Sequence, residues 1–196
     1  KPDKVETELG IERFDEEGRC LKLTFKDFIL FNFYIPNGAR DKRDIPYKIE
    51  VYKELFKIFK DIKNKNIILC GDFNIAHSEL DVFNSKQNEN NTMFTPIERT
   101  QIDELINLGF TDTFRYKYPE REEYTWWPYM GDLRERNVGW RIDYIFVSDF
   151  LKENITEAFS EIETTGSDHG PYNTVFDFDL DIKELPKYKK SQGSLF

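Results

Sequence analysis

Two apolar runs, each closed by a polar cluster, constrain the fold more than any other feature of the chain. Residues 28–35, from Phe28 to Ile35, are almost entirely apolar and lead into Pro36-Asn37-Gly38, a turn signal. Residues 66–70 form a shorter run, Asn-Ile-Ile-Leu-Cys, that delivers Gly71-Asp72-Phe73-Asn74. Runs with little polar alternation are expected of strands covered on both faces. Between them, Ile49, Tyr52, Leu55, Phe56 and Phe59 recur at helical spacing, so residues 43–63 are predicted to form an amphipathic helix. Strand, helix and strand in this order point to an α/β layered domain.

The rest of the chain extends that pattern. Residues 19–25 read as a strand that turns at Lys26-Asp27 into the run 28–35. Residues 84–93 are polar and rich in Asn, and are expected to form a loop. Thr95-Pro96-Ile97-Glu98 has the order of a helix start, with Thr as N-cap, Pro at N1 and Glu at N3, and the helix should stop at Gly109. A stretch of Arg, Lys and aromatics runs from Phe114 to Trp140. Strands are predicted over 141–148, 155–163 and 172–180. A chain of 196 residues suits one domain, assigned to 1–182, with a basic polar tail at 183–196 expected to be disordered. Its 18 Phe, 10 Tyr and 3 Trp suit a core of packed sheets.

No apolar stretch approaches a membrane span, and Lys1-Pro2-Asp3-Lys4 has no signal-peptide character. A cytoplasmic location is the resulting expectation. Cys20 and Cys70 lie in strand-like runs and read as small buried residues in a reducing compartment. A formal net charge of −9 argues mildly against a nucleic-acid partner, although a local basic patch with bound divalent metal can still serve a polyanion.

Polar residues collect where α/β folds place their sites, at strand ends: Tyr34 to Gly38, Gly71 to Asn74, Arg141 to Tyr144, and Ser167-Asp168-His169. Each has a bland reading. Asp72 suits a turn, Asp168 a loop cap and Tyr34 a strand edge, and His77 reads as structural. Asp143, inside the run from Ile142 to Val147, is harder to dismiss, because a buried carboxylate is costly unless paired. Together the residues fit metal-assisted phosphodiester hydrolysis. Asp72 would accept a proton from water, and Asn74, Tyr34 and His169 would donate to phosphate oxygens. Asp143 would orient His169 and favour its charged form, and Asp168 is a hard oxygen ligand for Mg²⁺ or Mn²⁺.

The motifs Tyr34-Ile-Pro-Asn-Gly38, Gly71-Asp-Phe-Asn-Ile-Ala-His77, Phe94-Thr-Pro-Ile-Glu-Arg99, Tyr124-Thr-Trp-Trp127, Arg136-Asn-Val-Gly-Trp-Arg-Ile-Asp-Tyr144 and Gly166-Ser-Asp-His169 resemble, in order, those of the exonuclease III family of AP endonucleases. The resemblance runs from about residue 1 to 180. It implies a two-sheet α/β sandwich flanked by helices, and Mg²⁺-dependent incision of double-stranded DNA 5′ to abasic sites. Exonuclease and 3′-phosphatase activities often accompany that incision. By motif position it implies catalytic roles for Tyr34, Asp72, Asn74, Asp143 and His169, and a metal site drawn from Asp72, Asn74, Asp168 and His169. Trp126, Trp140 and Ile142 fall where the family forms an apolar pocket for the extruded, baseless sugar. Asn37, Arg40, Asn88, Asn91, Met130 and Arg134 fall in loops expected to face DNA.

The chain departs from the family at its start. The family begins with a strand bearing an Asn, then a helix and a strand bearing a metal-binding Glu, whereas residues 1–18 resemble a segment well inside the family chain. Glu6, Glu8, Glu12, Glu16 and Glu17 lie in polar surroundings and do not replace that Glu. The expectation is a fold incomplete at the N-terminus, weak activity of the isolated chain, and an apolar edge filled by a complementing N-terminal segment or a second chain. Gly170 stands where the family usually has Cys. Two other readings compete: a related phosphatase or phosphodiesterase acting on phosphoinositides or sphingomyelin, and a DNA-binding remnant that no longer hydrolyses.

Overall fold

A computed structural model gives the architecture and describes residues 1–177. The chain opens with a short strand, β1 (Lys4–Glu6), and a five-residue helix, α1 (Glu12–Glu16). Next come β2 (Cys20–Thr24) and β3 (Ile29–Tyr34), antiparallel and closed by the turn at Lys26-Asp27. Helix α2 (Ile45–Ile62) crosses back to β4 (Ile67–Asp72), which pairs parallel to β3. After β4 come a four-residue helix, α3 (Ser85–Asn88), the longer α4 (Pro96–Asn107), β5 (Phe110–Asp112) and α5 (Thr113–Lys117). The last strands are β6 (Asp143–Ser148), β7 (Ile155–Ser160) and β8 (Tyr172–Phe176).

Six strands form one sheet in the order β1-β2-β3-β4-β6-β5, and β7 and β8 form a second, two-stranded sheet. One face of the large sheet, carrying Ile29, Phe31, Phe33, Ile67, Leu69, Tyr144 and Phe146, packs on Val51, Tyr52, Leu55 and Phe59 of α2 and on Ile102 and Leu105 of α4. On the other face, Ile68 and Val147 pack with Leu151 and with Ile155 from β7. This is the expected two-sheet α/β sandwich flanked by helices. No helix among the described residues is long and apolar enough to cross a membrane.

Most sequence signals act locally as expected. Thr95 and Glu98 form a reciprocal capping box at the start of α4, and Gly109 ends it at φ +95°. Two expectations need correction. Strand β3 is fully covered on one face, where Ile29, Phe31 and Phe33 are buried; on the other, Leu30 is half-buried against the Ile68 and Val147 cluster, while Asn32 and Tyr34 are exposed and supply the polar alternation that a count of apolar letters missed. Residues 84–93 are not a plain loop. They hold α3 and a series of turns, with Asn84 and Met93 at positive φ. The short elements β1, α1, β5 and α5 fall below the length at which periodicity can be read. The tail at 183–196 lies outside the described residues.

One glycine decides how β4 ends. Gly71 sits at φ +118°, and a Cβ built there would lie 2.1 Å from the Phe33 carbonyl oxygen of the neighbouring strand. Gly71→Ala should therefore destabilise the fold by at least about 1–3 kcal/mol from the backbone conformation alone. A urea titration would measure it, and an unchanged midpoint would mean that β3 can move away at no cost.

Candidate active site at the strand ends

Adjacent strands converge on one point. Asp72, the last residue of β4, stands opposite Tyr34 at the end of β3 and opposite Asp143 at the start of β6. Asp143 meets His169 from the loop before β8, with Nδ1 2.9 Å from Oδ2. Asp72, Asp143 and His169 can each offer one ligand atom to a common point, all within 4.8 Å of one another. This is the metal-competent cluster found among the described residues.

Asn74 locks Asp72 in place. Its backbone N–H donates to Asp72 Oδ1 and its side-chain amide donates to Asp72 Oδ2, both at 2.8 Å. The same amide reaches the Ile35 carbonyl at 2.8 Å, and Asn74 Oδ1 accepts from Asn37 at 3.0 Å. Asn37, expected only to face DNA, is thus part of the site. Asn74 adopts φ +51°, a left-handed conformation that Asn tolerates better than most residues.

Burial, and after it the charge of Asp143, push Asp72 up to about 7, against the Asn74 backbone amide, His169 and Lys48. For His169, burial works against the charged form, but the hydrogen bond and charge of Asp143, with Asp72 and Asp168, outweigh it and raise its pKa. A carboxyl that ionises near neutrality beside an imidazole whose charged form is favoured is a proton acceptor facing a proton donor.

Several expected site residues lie elsewhere. The Oδ2 of Asp168 accepts the indole N–H of Trp126 at 3.0 Å, beside the group formed by Asp72, Asp143 and His169. Asn88 donates to the Phe83 and Asn84 carbonyls and accepts from Asn91 at 2.7 Å, so both Asn residues are engaged in their own loop. Arg134 lies over the Trp127 ring and donates to the carbonyls of Ile162, Thr164 and Ser167, where it braces the loop that carries His169. Arg40 is exposed beside the turn after β3. Met130 and its neighbour Tyr129 are the most exposed large apolar side chains among the described residues, at 70% and 82%. Trp126, Trp140 and Ile142 do come together, packed with Met93 and Phe94, and Trp126 pairs through its backbone with His169. Tyr34 is 56% exposed at the lip of the site, with the Arg19 guanidinium 4.7 Å above its ring.

The sequence reading missed what lies beneath. Lys48 is fully buried on α2 and donates to the Asn74 carbonyl at 2.8 Å and to Glu98 at 2.6 Å. A lysine four residues before Tyr52, on the apolar face of a predicted helix, was the available signal. Thr125 also escaped notice. Its hydroxyl accepts the Ile142 and Asp143 backbone amides, both at 3.1 Å, and so fixes the start of β6.

Comparison with known proteins agrees with this arrangement. A family profile described as the endonuclease/exonuclease/phosphatase family matches residues 2–169. The exodeoxyribonuclease of Bacillus subtilis is 39% identical over 177 residues, which cover 89% of this chain and 70% of that protein. A DNA-(apurinic or apyrimidinic site) endonuclease of Dictyostelium discoideum is 38% identical over 182 residues, covering 90% of this chain and 50% of its own length. Among solved structures, an AP endonuclease from Archaeoglobus fulgidus superposes with a TM-score of 0.84 at 27% identity, over 91% of this chain and 72% of that one. A 3′ phosphatase from Neisseria, bound to a product DNA hairpin, gives 0.85 at 29% identity with the same coverage. With the motifs, the sandwich and the strand-end cluster in agreement, the chain belongs to the endonuclease/exonuclease/phosphatase family, in the branch of the exodeoxyribonucleases and AP endonucleases.

Proposed function

We propose that the protein is a metal-dependent DNA-repair phosphodiesterase that incises duplex DNA 5′ to abasic sites, with 3′-to-5′ exonuclease and 3′-phosphatase action at the same centre. The observation that carries this reading is the Asp143–His169 pair facing Asp72 across adjacent strand ends. His169, its charged form favoured by Asp143, donates to a phosphate oxygen. Asp72 accepts a proton from the attacking water and later returns one to the leaving oxygen. Asn74 keeps the Asp72 carboxylate turned into the site, and Tyr34, exposed at the lip, donates its phenol to the phosphate.

The carboxylate oxygens of Asp72 and Asp143 suit a hard cation and would hold Mg²⁺ or Mn²⁺, while His169, held by Asp143, keeps its other N–H for the phosphate. A bound ion would neutralise the charge that develops on the phosphate. Trp126, Trp140 and Ile142 border His169 as an apolar wall that a baseless sugar can lie against, whereas a normal nucleotide would have to leave its stack.

The test is a labelled duplex with one abasic site, incubated with Mg²⁺ and with EDTA. Cleavage confined to the Mg²⁺ reaction is expected, and equal cleavage in EDTA would rule the reading out. Because Asp143 acts through His169, Asp143→Asn and His169→Ala should not be additive. The double variant is expected to cut no more than about threefold slower than the worse single variant. Full additivity in single-turnover kinetics would separate the two roles.

A further inference from the structure

We infer that Lys48, Tyr52 and Tyr144 form a buried cradle that positions Asp72 and Asn74 for catalysis, an inference that rests on the proposed hydrolytic role of those two residues. After β4 ends, the chain leaves the sheet through Phe73, Asn74 and Ile75, which are 2%, 3% and 0% exposed. Their carbonyls lose the sheet ladder and are out of reach of solvent, so each needs a donor. Each has one, from a side chain of another element. The Tyr52 hydroxyl donates to the Phe73 carbonyl at 2.9 Å, the Lys48 ammonium to the Asn74 carbonyl at 2.8 Å, and the Tyr144 hydroxyl to the Ile75 carbonyl at 2.8 Å.

Three consecutive carbonyls are therefore fixed by α2 and β6. The residue at the centre, Asn74, is the one at φ +51° whose amides hold Asp72. Stability alone is a poor reason for this choice of residues. A fully buried ammonium costs free energy that its carboxylate partner only partly returns, and apolar replacements of such pairs are often neutral or stabilising. Glu98 ties the cradle to the next segment as well: Oε1 accepts the Met93 amide, and Oε2 accepts the amide and hydroxyl of Thr95. The loop thus has a covalent anchor in β4 and polar anchors in α2, α4 and β6. What the arrangement delivers is a fixed direction for the Asp72 carboxylate, and an error of about 1 Å in such a group can cost about 100-fold in rate.

The experiment compares Tyr52→Phe and the double variant Lys48→Met/Glu98→Gln with the parent protein and with Ser148→Ala. Ser148 accepts the Ile67 amide at 3.1 Å at the far end of β6 from Asp143, so that control also removes a buried hydroxyl. Steady-state cleavage of abasic-site duplex and hydrogen exchange of the Asn74 backbone amide are both measured, well below each variant's melting temperature. For both cradle variants kcat is expected to fall about 10- to 100-fold with KM within about threefold. Asn74 exchange should rise at least about 10-fold more than that of the sheet amides in β3. Ser148→Ala should change neither beyond its effect on global stability.

Unchanged kcat in the cradle variants would overturn the inference, whether or not exchange rises, as would a change confined to KM. If the parent protein does not cut the duplex, faster Asn74 exchange would leave the cradle standing and remove the proposed function. In that case unchanged exchange would remove the cradle too. A variant that fails to fold is replaced by Tyr144→Phe, which tests the third carbonyl in the same way.

Discussion

Replacing Asp72 with Asn is expected to lower phosphodiester cleavage by roughly 10²–10⁴-fold, the range of a positioned acid or base. The substitution keeps the shape of the side chain and an oxygen that can accept from Asn74, but it removes the proton acceptor. In metal-free buffer its effect on stability should have the opposite sign. The Asp72 carboxyl is raised to about 7, so the folded state binds its proton more tightly than the unfolded chain does. The stability associated with that proton is present below the ordinary carboxylate range and is lost as pH rises through about 7. Asn74 offers two donors to the Asp72 carboxylate and returns part of that loss. Asp72→Asn in EDTA at pH 8 should therefore be at least as stable as the parent protein, and the advantage should vanish near pH 4. A clear loss of stability at pH 8 would mean that the hydrogen bonds from Asn74 outweigh the cost of burying the charge.

The second large effect lies under the site. Arg141 is fully buried, with Nε 2.7 Å from Asp81 Oδ1 and Nη2 2.8 Å from Asp112 Oδ2, and its guanidinium lies 4.4 Å above the Tyr144 ring. Asp81 also receives Arg115 and the amide and hydroxyl of Ser78, and Asp112 caps the first turn of α5. Arg141→Met would leave two buried carboxylates without their shared cation, which should cost about 3–5 kcal/mol at pH 7. The pH dependence identifies the cause. Burial pushes the Asp81 carboxyl up, but Arg141 and then Arg115 outweigh it and hold it well below the usual carboxylate range. A depressed carboxyl contributes stability above the unfolded value of about 4, and that stability is lost as pH falls toward the folded value. The deficit of Arg141→Met should therefore be widest at neutral pH and narrow by pH 3. Urea titrations at both pH values would show it, and an equal deficit would point to lost packing on Tyr144 and Phe114 instead.

How much of this was legible follows from which interactions are local. Cap, turn and helix signals at Thr95, Glu98, Gly109 and Lys26-Asp27 act within a few residues, and the structure reproduces them. The candidate site letters were visible because Tyr34 and Asp72 close strands, Asp143 opens one, and Asn74 and His169 follow within short polar clusters, where a polar residue stands out against an apolar run. The contacts that hold them were not visible. The bonds of Lys48 to Asn74, Thr125 to Asp143 and Arg141 to Asp81 cross 26, 18 and 60 residues, and no spacing rule spans such distances. Asp168 shows the converse. Its type and its neighbour His169 suited a metal ligand, and only the fold reveals that its Oδ2 also accepts the Trp126 indole. Arg134 and Asn88 have the composition of a nucleic-acid surface, yet their donors satisfy backbone carbonyls. The same side-chain chemistry that suits phosphate suits an unpaired carbonyl, so sequence alone does not separate the two uses.

The central claim is that one strand-end centre, built on Asp72 and the Asp143–His169 pair, cuts DNA at abasic sites. The most direct measurement is single-turnover cleavage of a 5′-labelled duplex with one abasic site, with the parent protein and Asp72→Asn side by side in Mg²⁺. The account predicts one product, cut immediately 5′ to the abasic position and ending in a 3′-hydroxyl, with the variant slower by roughly 10²-fold or more at unchanged duplex affinity. Equal rates for the two proteins, or a duplex that is bound and left intact by the parent protein in Mg²⁺, would contradict it.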